Sequence, residues 1–206
     1  MRRRRFLNMS LAGLGTACVM GHGAPAQFIP RPGKDKWAVI FGTWYGTARD
    51  AGVWISEGLG GMAAVFDARQ KPDLAAFDHL VLGTAIQGGK GPREFSELIQ
   101  ANAVAIQGKV RGLFAVCGNL EKPVGAEQKK TYIDDYLAPL CKADAGVPGR
   151  VFNGRVTKVL MSPEDYKIVK DLYERLGLPP LKDYDLLRRP DCLEFGRSIL
   201  GRLPSG

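Results

Sequence analysis

Between residues 37 and 153 the sequence alternates strand-length apolar runs with segments of helical period, and that alternation leaves few folds open. Trp37-Ala38-Val39-Ile40-Phe41 is apolar without a break, the pattern of a strand covered on both faces. Residues 47–59 follow with Ala48, Ala51, Ile55 and Leu59 at helical spacing on one side. Further strands are expected at 62–66, 79–83, 110–116 and 150–153, and further helices at 93–102, 128–140 and 191–200. Pro163 is placed to open a helix over 164–176, which Gly177 and Pro179 would close. Short buried strands joined by helices make a parallel sheet with a helical layer on each face. The expected architecture is therefore three-layer α/β with a five-stranded parallel sheet, one domain over residues 37–201.

Residues 1–26 read as an address rather than as part of that fold. Arg2 to Arg5 open the chain with dense positive charge, a modestly apolar stretch runs to Met20, and Ala24-Pro25-Ala26 offers small residues for cleavage. Arg3-Arg4-Arg5-Phe6-Leu7 resembles a twin-arginine signal, which implies export to the periplasm or beyond, of a protein already folded and often carrying a cofactor. An uncleaved basic amphipathic anchor is the alternative. Residues 27–36, rich in Pro, Gly and Lys, form an exposed lead-in.

Composition narrows function by exclusion. The chain has 206 residues, 45% hydrophobic and 24% charged, which are globular values. Its formal charge is +8; without residues 1–26 there remain 25 basic and 21 acidic residues, or +4, too diffuse for a nucleic-acid surface. No run of about 20 apolar residues exists to span a membrane. Two histidines and four cysteines without CxxC spacing argue against a metal centre.

In open α/β sheets ligands sit beyond the carboxyl ends of the strands, so three loops are candidates. The first, Gly42-Thr43-Trp44-Tyr45-Gly46-Thr47-Ala48, has neither the GxGxxG spacing nor the lysine of a nucleotide loop. It does set two hydroxyls and a glycine before a helix N-terminus, where backbone N–H groups and the helix dipole can hold a phosphate monoester without a cation. A tight turn with Thr47 as the helix cap is the other reading. The second loop, Gly83-Thr84-Ala85-Ile86-Gln87-Gly88-Gly89-Lys90-Gly91, is glycine-dense enough for backbone to lie against a flat ring. The third, Cys117-Gly118-Asn119-Leu120, can bond a ring edge through its backbone, with Cys117 a small buried hydrophobe as the alternative.

Together these loops resemble those of the flavodoxin family. The resemblance implies FMN, with its phosphate at Thr43, Trp44, Tyr45, Gly46, Thr47 and Ala48. Its ring would lie between Thr84, Ala85, Ile86, Gln87 and Gly88 on one side and Cys117, Gly118 and Asn119 on the other. Leu80-Val81-Leu82-Gly83-Thr84-Ala85-Ile86 with Phe95, and Asn119-Leu120, are similar to the menaquinone-dependent protoporphyrinogen oxidase group within that family. The chain departs from the family in lacking aromatic residues in the second and third loops, which leaves one ring face open to a flat substrate or a partner, and in not being acidic as carriers usually are. Backbone donors near a flavin favour its reduced, anionic forms.

Three readings follow. The first is an exported FMN redox protein passing electrons between a partner and a redox chain, the partner being a redox protein or a quinone. The second is an oxidase-like enzyme acting on a tetrapyrrole with a quinone acceptor. The third is a binding module of the same shape without cofactor. No catalytic residue is assigned. His79, Asp134-Asp135 and Ser162-Pro163-Glu164 read as structural, and Lys129-Lys130 and Arg188-Arg189 as solvated, with porphyrin propionates or anionic lipid heads as the alternative. A Cys141–Cys192 disulfide is left open.

Overall fold

The computed structural model describes residues 34–118 and 126–202. The expected signal at 1–26, most of the lead-in and Asn119 lie outside them. The elements run β1 (Trp37–Gly42), α1 (Thr47–Gly58), β2 (Ala63–Asp67), β3 (His79–Ile86), α2 (Arg93–Ala101) and β4 (Val110–Cys117). A continuous helix follows, made of α3 (Ala126–Lys129), a π-helical stretch (Lys130–Leu137) and α4 (Ala138–Leu140). Then come β5 (Gly149–Asn153), the short pair β6 (Arg155–Val156) and β7 (Tyr184–Asp185) enclosing α5 (Pro163–Arg175), and finally α6 (Arg189–Leu200).

Five strands pair in the order β2-β1-β3-β4-β5, every pairing parallel. Alternate residues of β1 feed opposite layers. Trp37, Val39 and Phe41 pack with Ala51 and Ile55 of α1 and Phe195 and Ile199 of α6. Ala38 and Ile40 pack with Phe95 and Ile99 of α2 and Ile133 and Leu137 of the π-helical stretch. The three-layer α/β expectation holds, and all six residues of β1 are buried, as an unbroken apolar run requires.

Two details differ from the sequence reading. β3 continues three residues past Gly83, because Gly83 to Ile86 stay in register with Phe114 to Cys117 of β4. The first four residues of the expected second loop are therefore strand. Cys141 and Cys192 are free thiols buried in the two opposite helical layers, which leaves no disulfide between them. Burial pushes both thiols up to about 12 (for Cys192 the neighbouring Asp191 adds to it), so they behave as small apolar groups.

The strand order reverses between β1 and β3, where two neighbouring strands send their chains to opposite faces of the sheet. The resulting crevice at their carboxyl ends is where an α/β sheet of this order takes its ligand.

Candidate functional site

β1 ends at Gly42, where no side chain fits: a Cβ would lie 2.7 Å from Cβ of Phe95 and 2.8 Å from Oγ1 of Thr84. The chain then turns through Thr43, whose Oγ1 accepts from the Gly46 N–H at 2.9 Å. Gly46 takes a left-handed conformation, φ 87°, and stands at the N-cap of α1 without any side-chain cap. The first N–H groups of α1 are thus left for a ligand, beside the buried hydroxyl groups of Thr43 and Thr47. Thr47 is not the cap, so the alternative reading of this loop as a threonine-capped turn does not describe it.

The glycines of the second loop divide their tasks. A Cβ on Gly83 would meet the Phe114 ring at 2.2 Å, and one on Gly91 would meet Thr84 Oγ1 at 2.5 Å, so both are demanded by core packing. Gly88 and Gly89, φ 57° and 81°, make a tight turn closed by Gln87 and Lys90, whose N–H and C=O groups bond reciprocally at 2.9 and 3.2 Å. Only this second pair borders the crevice. Tyr136 accepts the Gly91 N–H at 3.1 Å and so fixes the end of the loop from the π-helical stretch. Thr84 is fully buried, its hydroxyl within reach of the Gly42 and Ala85 carbonyls at 3.3 and 3.0 Å.

A cavity of about 470 Å³ opens between these loops, a size usual for small-molecule and cofactor sites. Of the residues expected from sequence, Thr43, Trp44, Tyr45, Thr47, Ala85, Ile86, Gln87, Gly88, Cys117 and Gly118 line it together. Gly46, Ala48 and Thr84 stand behind the lining, in the turn, the core and the strand. At the third loop, burial pushes the Cys117 thiol up to about 11, so it is neutral at physiological pH, in keeping with a small apolar wall.

The sequence reading missed the opposite wall. The segment after β5 does not return directly to the last helix; it sends α5 across the mouth, so that Ile168, Val169 and Leu172 line the cavity with Val156 and Met161. Tyr132 of the π-helical stretch completes this side, its phenol pKa raised by burial and by Cys117. Aliphatic side chains from α5 thus stand over the space left open by the missing aromatic residues. The Arg155 side chain anchors the segment, bonding Asp50 in the first turn of α1 at 2.8 Å and Asp185 at 2.8 Å. Burial works against its charge, but Asp185 and Asp50 outweigh it and raise its pKa. Arg155 also neutralises a carboxylate that would oppose an anion at the α1 N-terminus.

A sequence-family model described as a flavodoxin domain matches residues 38–170. The chain belongs to the flavodoxin family. One solved structure agrees on the fold. Oxidised flavodoxin 1 from Bacillus cereus superposes with a TM-score of 0.52 at 19% identity, over 82% of this chain and 99% of that one. Flavodoxin 2 from the same organism gives 0.49 at 14% identity, with 82% and 99% covered. A WrbA-like flavodoxin from Agrobacterium tumefaciens gives 0.48 at 15%, with 82% and 100% covered. No curated protein sequence matches the chain. Membership implies that the crevice of this flavodoxin is a flavin site, and its residues fit one. An uncapped helix start with two hydroxyls suits a phosphate, and a slot between backbone turns and an aliphatic wall suits a flat ring.

Proposed function

We propose that this flavodoxin is an exported FMN-binding redox protein that passes electrons between a partner and a redox chain. The observation that carries the reading is the cavity itself, which joins all three loops beyond β1, β3 and β4 at the point where strand order reverses. Bound FMN would supply reversible electron transfer. Thr43, Thr47 and the first N–H groups of α1 would hold its phosphate. Ala85, Ile86, Gln87 and Gly88 would flank the ring on one side, and Cys117 and Gly118 on the other. Ile168, Val169 and Leu172 would keep water from the remaining face, which makes reduction cost less solvent reorganisation at an otherwise exposed ring.

The apolar cover favours a small flat acceptor, of which a quinone is the simplest class, over broad docking of a second protein on the ring. An oxidase-like activity on a tetrapyrrole is the second reading, and it requires α5 to swing clear of the ring. Export rests on the arginine-rich start and the small residues before Gln27. Among the described residues no helix is long and apolar enough to cross a membrane.

Visible absorbance of the full-length protein tests the cofactor. A bound-flavin spectrum, or quenching of added FMN fluorescence to a one-to-one endpoint, is expected; a colourless protein that ignores FMN would leave the cofactor-free module standing instead. Replacement of Arg3 and Arg4 by lysine, which leaves no two adjacent arginines, is expected to leave the whole chain in the cytoplasm. Fractionation that still finds it exported would refute the signal.

A further inference from the structure

The cover over the cavity is held by one side chain in particular. Ser162 caps α5 by accepting the Asp165 N–H at 3.1 Å, and Pro163 fills the first turn, so the Asp165 carboxylate stands at the helix start. From there it accepts the Tyr45 hydroxyl of the first loop with Oδ2 and the Gln87 amide of the second loop with Oδ1, the latter at 2.6 Å. The Ser162 N–H donates to the same Tyr45 oxygen at 3.1 Å. Residues 45, 87 and 165 come from three separate parts of the chain. The carboxylate therefore joins the phosphate side of the crevice, the ring side and the cover.

Beyond the Arg155 anchor of its flanks and the contacts of Tyr166 and Tyr173, few buried side chains secure α5. Of its thirteen residues only Tyr173 is buried, and Ile168, which lines the cavity, is 60% exposed. A helix with so few buried contacts opens at small cost. Charge-assisted hydrogen bonds to a partly buried carboxylate are among the stronger single contacts available to hold it.

We infer that Asp165 is a positioning residue that latches α5 onto the two cofactor loops, and that release of this latch limits the exchange of flavin. The inference rests on the flavin reading of the cavity for its second half and on the three hydrogen bonds for its first. Tyr45 and Gln87 serve two ends of one device: each borders the cavity and each gives its polar end to Asp165, not to the cavity.

The test uses the full chain with two readouts. In the first, FMN-loaded protein is diluted and the rise of free-flavin fluorescence is followed. Asp165→Ala is expected to release flavin about tenfold faster or more, the size of losing hydrogen bonds to a charged group. Asp165→Asn, which keeps an oxygen for Gln87, is expected to fall between. In the second, flavin-free protein is treated with trypsin, and cleavage after Lys167 and Lys170 is expected to quicken in Asp165→Ala while the thermal midpoint moves little. In flavin-free protein, Gln87→Leu should quicken cleavage in the same direction, and adding it to Asp165→Ala should quicken it no further, since the shared bond is already gone. Release and cleavage rates within twofold of wild type in both variants would overturn the inference. Faster cleavage with unchanged release would overturn its second half alone. Wild-type protein that takes up no FMN would refute the functional reading, and cleavage would then decide the latch by itself.

Discussion

Gly196→Val is expected to cost the protein its stable fold, by more than about 3 kcal/mol. Gly196 lies in α6 where that helix crosses α1. A Cβ there would stand 2.3 Å from the Ile55 carbonyl oxygen and 2.8 Å from Cα of Gly58. The crossing is mutual, since a Cβ on Gly58 would stand 2.3 Å from the Leu193 carbonyl oxygen. Both obstacles are backbone, so no rotamer change relieves them; the helices must move apart. Around the crossing, Ile55, Phe195 and Ile199 are almost wholly buried against the sheet, and separation would open voids beside all three. Gly196→Ala should already lower the urea midpoint clearly, with valine the worse. An alanine variant within about 0.5 kcal/mol of wild type would mean that the helices do not approach so closely in solution. Because the loop proposed to hold the phosphate runs into α1, any variant that does fold should bind FMN more weakly.

That crossing also shows what could and could not be read from the sequence. The apolar period of residues 47–59 predicts α1 to within a residue of its observed end, and the apolar runs predict every strand of the sheet. Burial drives both, and burial leaves a periodic trace. Which glycines serve packing leaves none. Gly83 and Gly91 look like ring-side glycines in the sequence and prove to be needed by Phe114, on the next strand, and by Thr84, which the loop folds back to meet. The helix opened by Ser162 and Pro163 was equally legible, and it closes before Gly177, φ 65°, as expected. Its destination was not, because a stripe of Ile168, Val169 and Leu172 says that one face is apolar without saying what that face covers. Asp165 was invisible for the same reason: its partners are 120 and 78 residues away. The adjacent acids Asp134 and Asp135 are solvated, as read, but each also reaches a lysine five residues earlier, Lys129 and Lys130, across the π-helical stretch. That spacing departs from the ordinary three-or-four rule and could not be foreseen from it.

Thr47→Asp separates folding from ligand binding more sharply than any alanine substitution at the site. Aspartate has nearly the volume of threonine, though it forks one atom further out, so the cavity wall is changed little in size. Its charge would sit in the first turn of α1, where the N–H groups left by the uncapped start accept an anion, an arrangement worth about 0.3–1 kcal/mol to a helix at a surface. Thermal stability is expected to fall modestly, because the carboxylate replaces a buried hydroxyl and those N–H donors offset only part of its desolvation; the comparison therefore rests on binding by the folded variant. The same occupancy is ruinous for a phosphate. A carboxylate within about 4 Å of another unit charge at a protein surface is opposed by about 4 kcal/mol at short range, and the donors that would have met the phosphate are already taken. FMN affinity should fall by at least about 100-fold, or about 2.7 kcal/mol. Riboflavin, which has no phosphate, makes the comparison decisive: its weaker binding should change little between wild type and Thr47→Asp. If FMN and riboflavin lose affinity equally, residue 47 acts on the ring or on the fold and the phosphate belongs elsewhere in the crevice. If only FMN is lost, the uncapped start of α1 is the anion site, and the ring must lie toward Ile86, Cys117 and the cover.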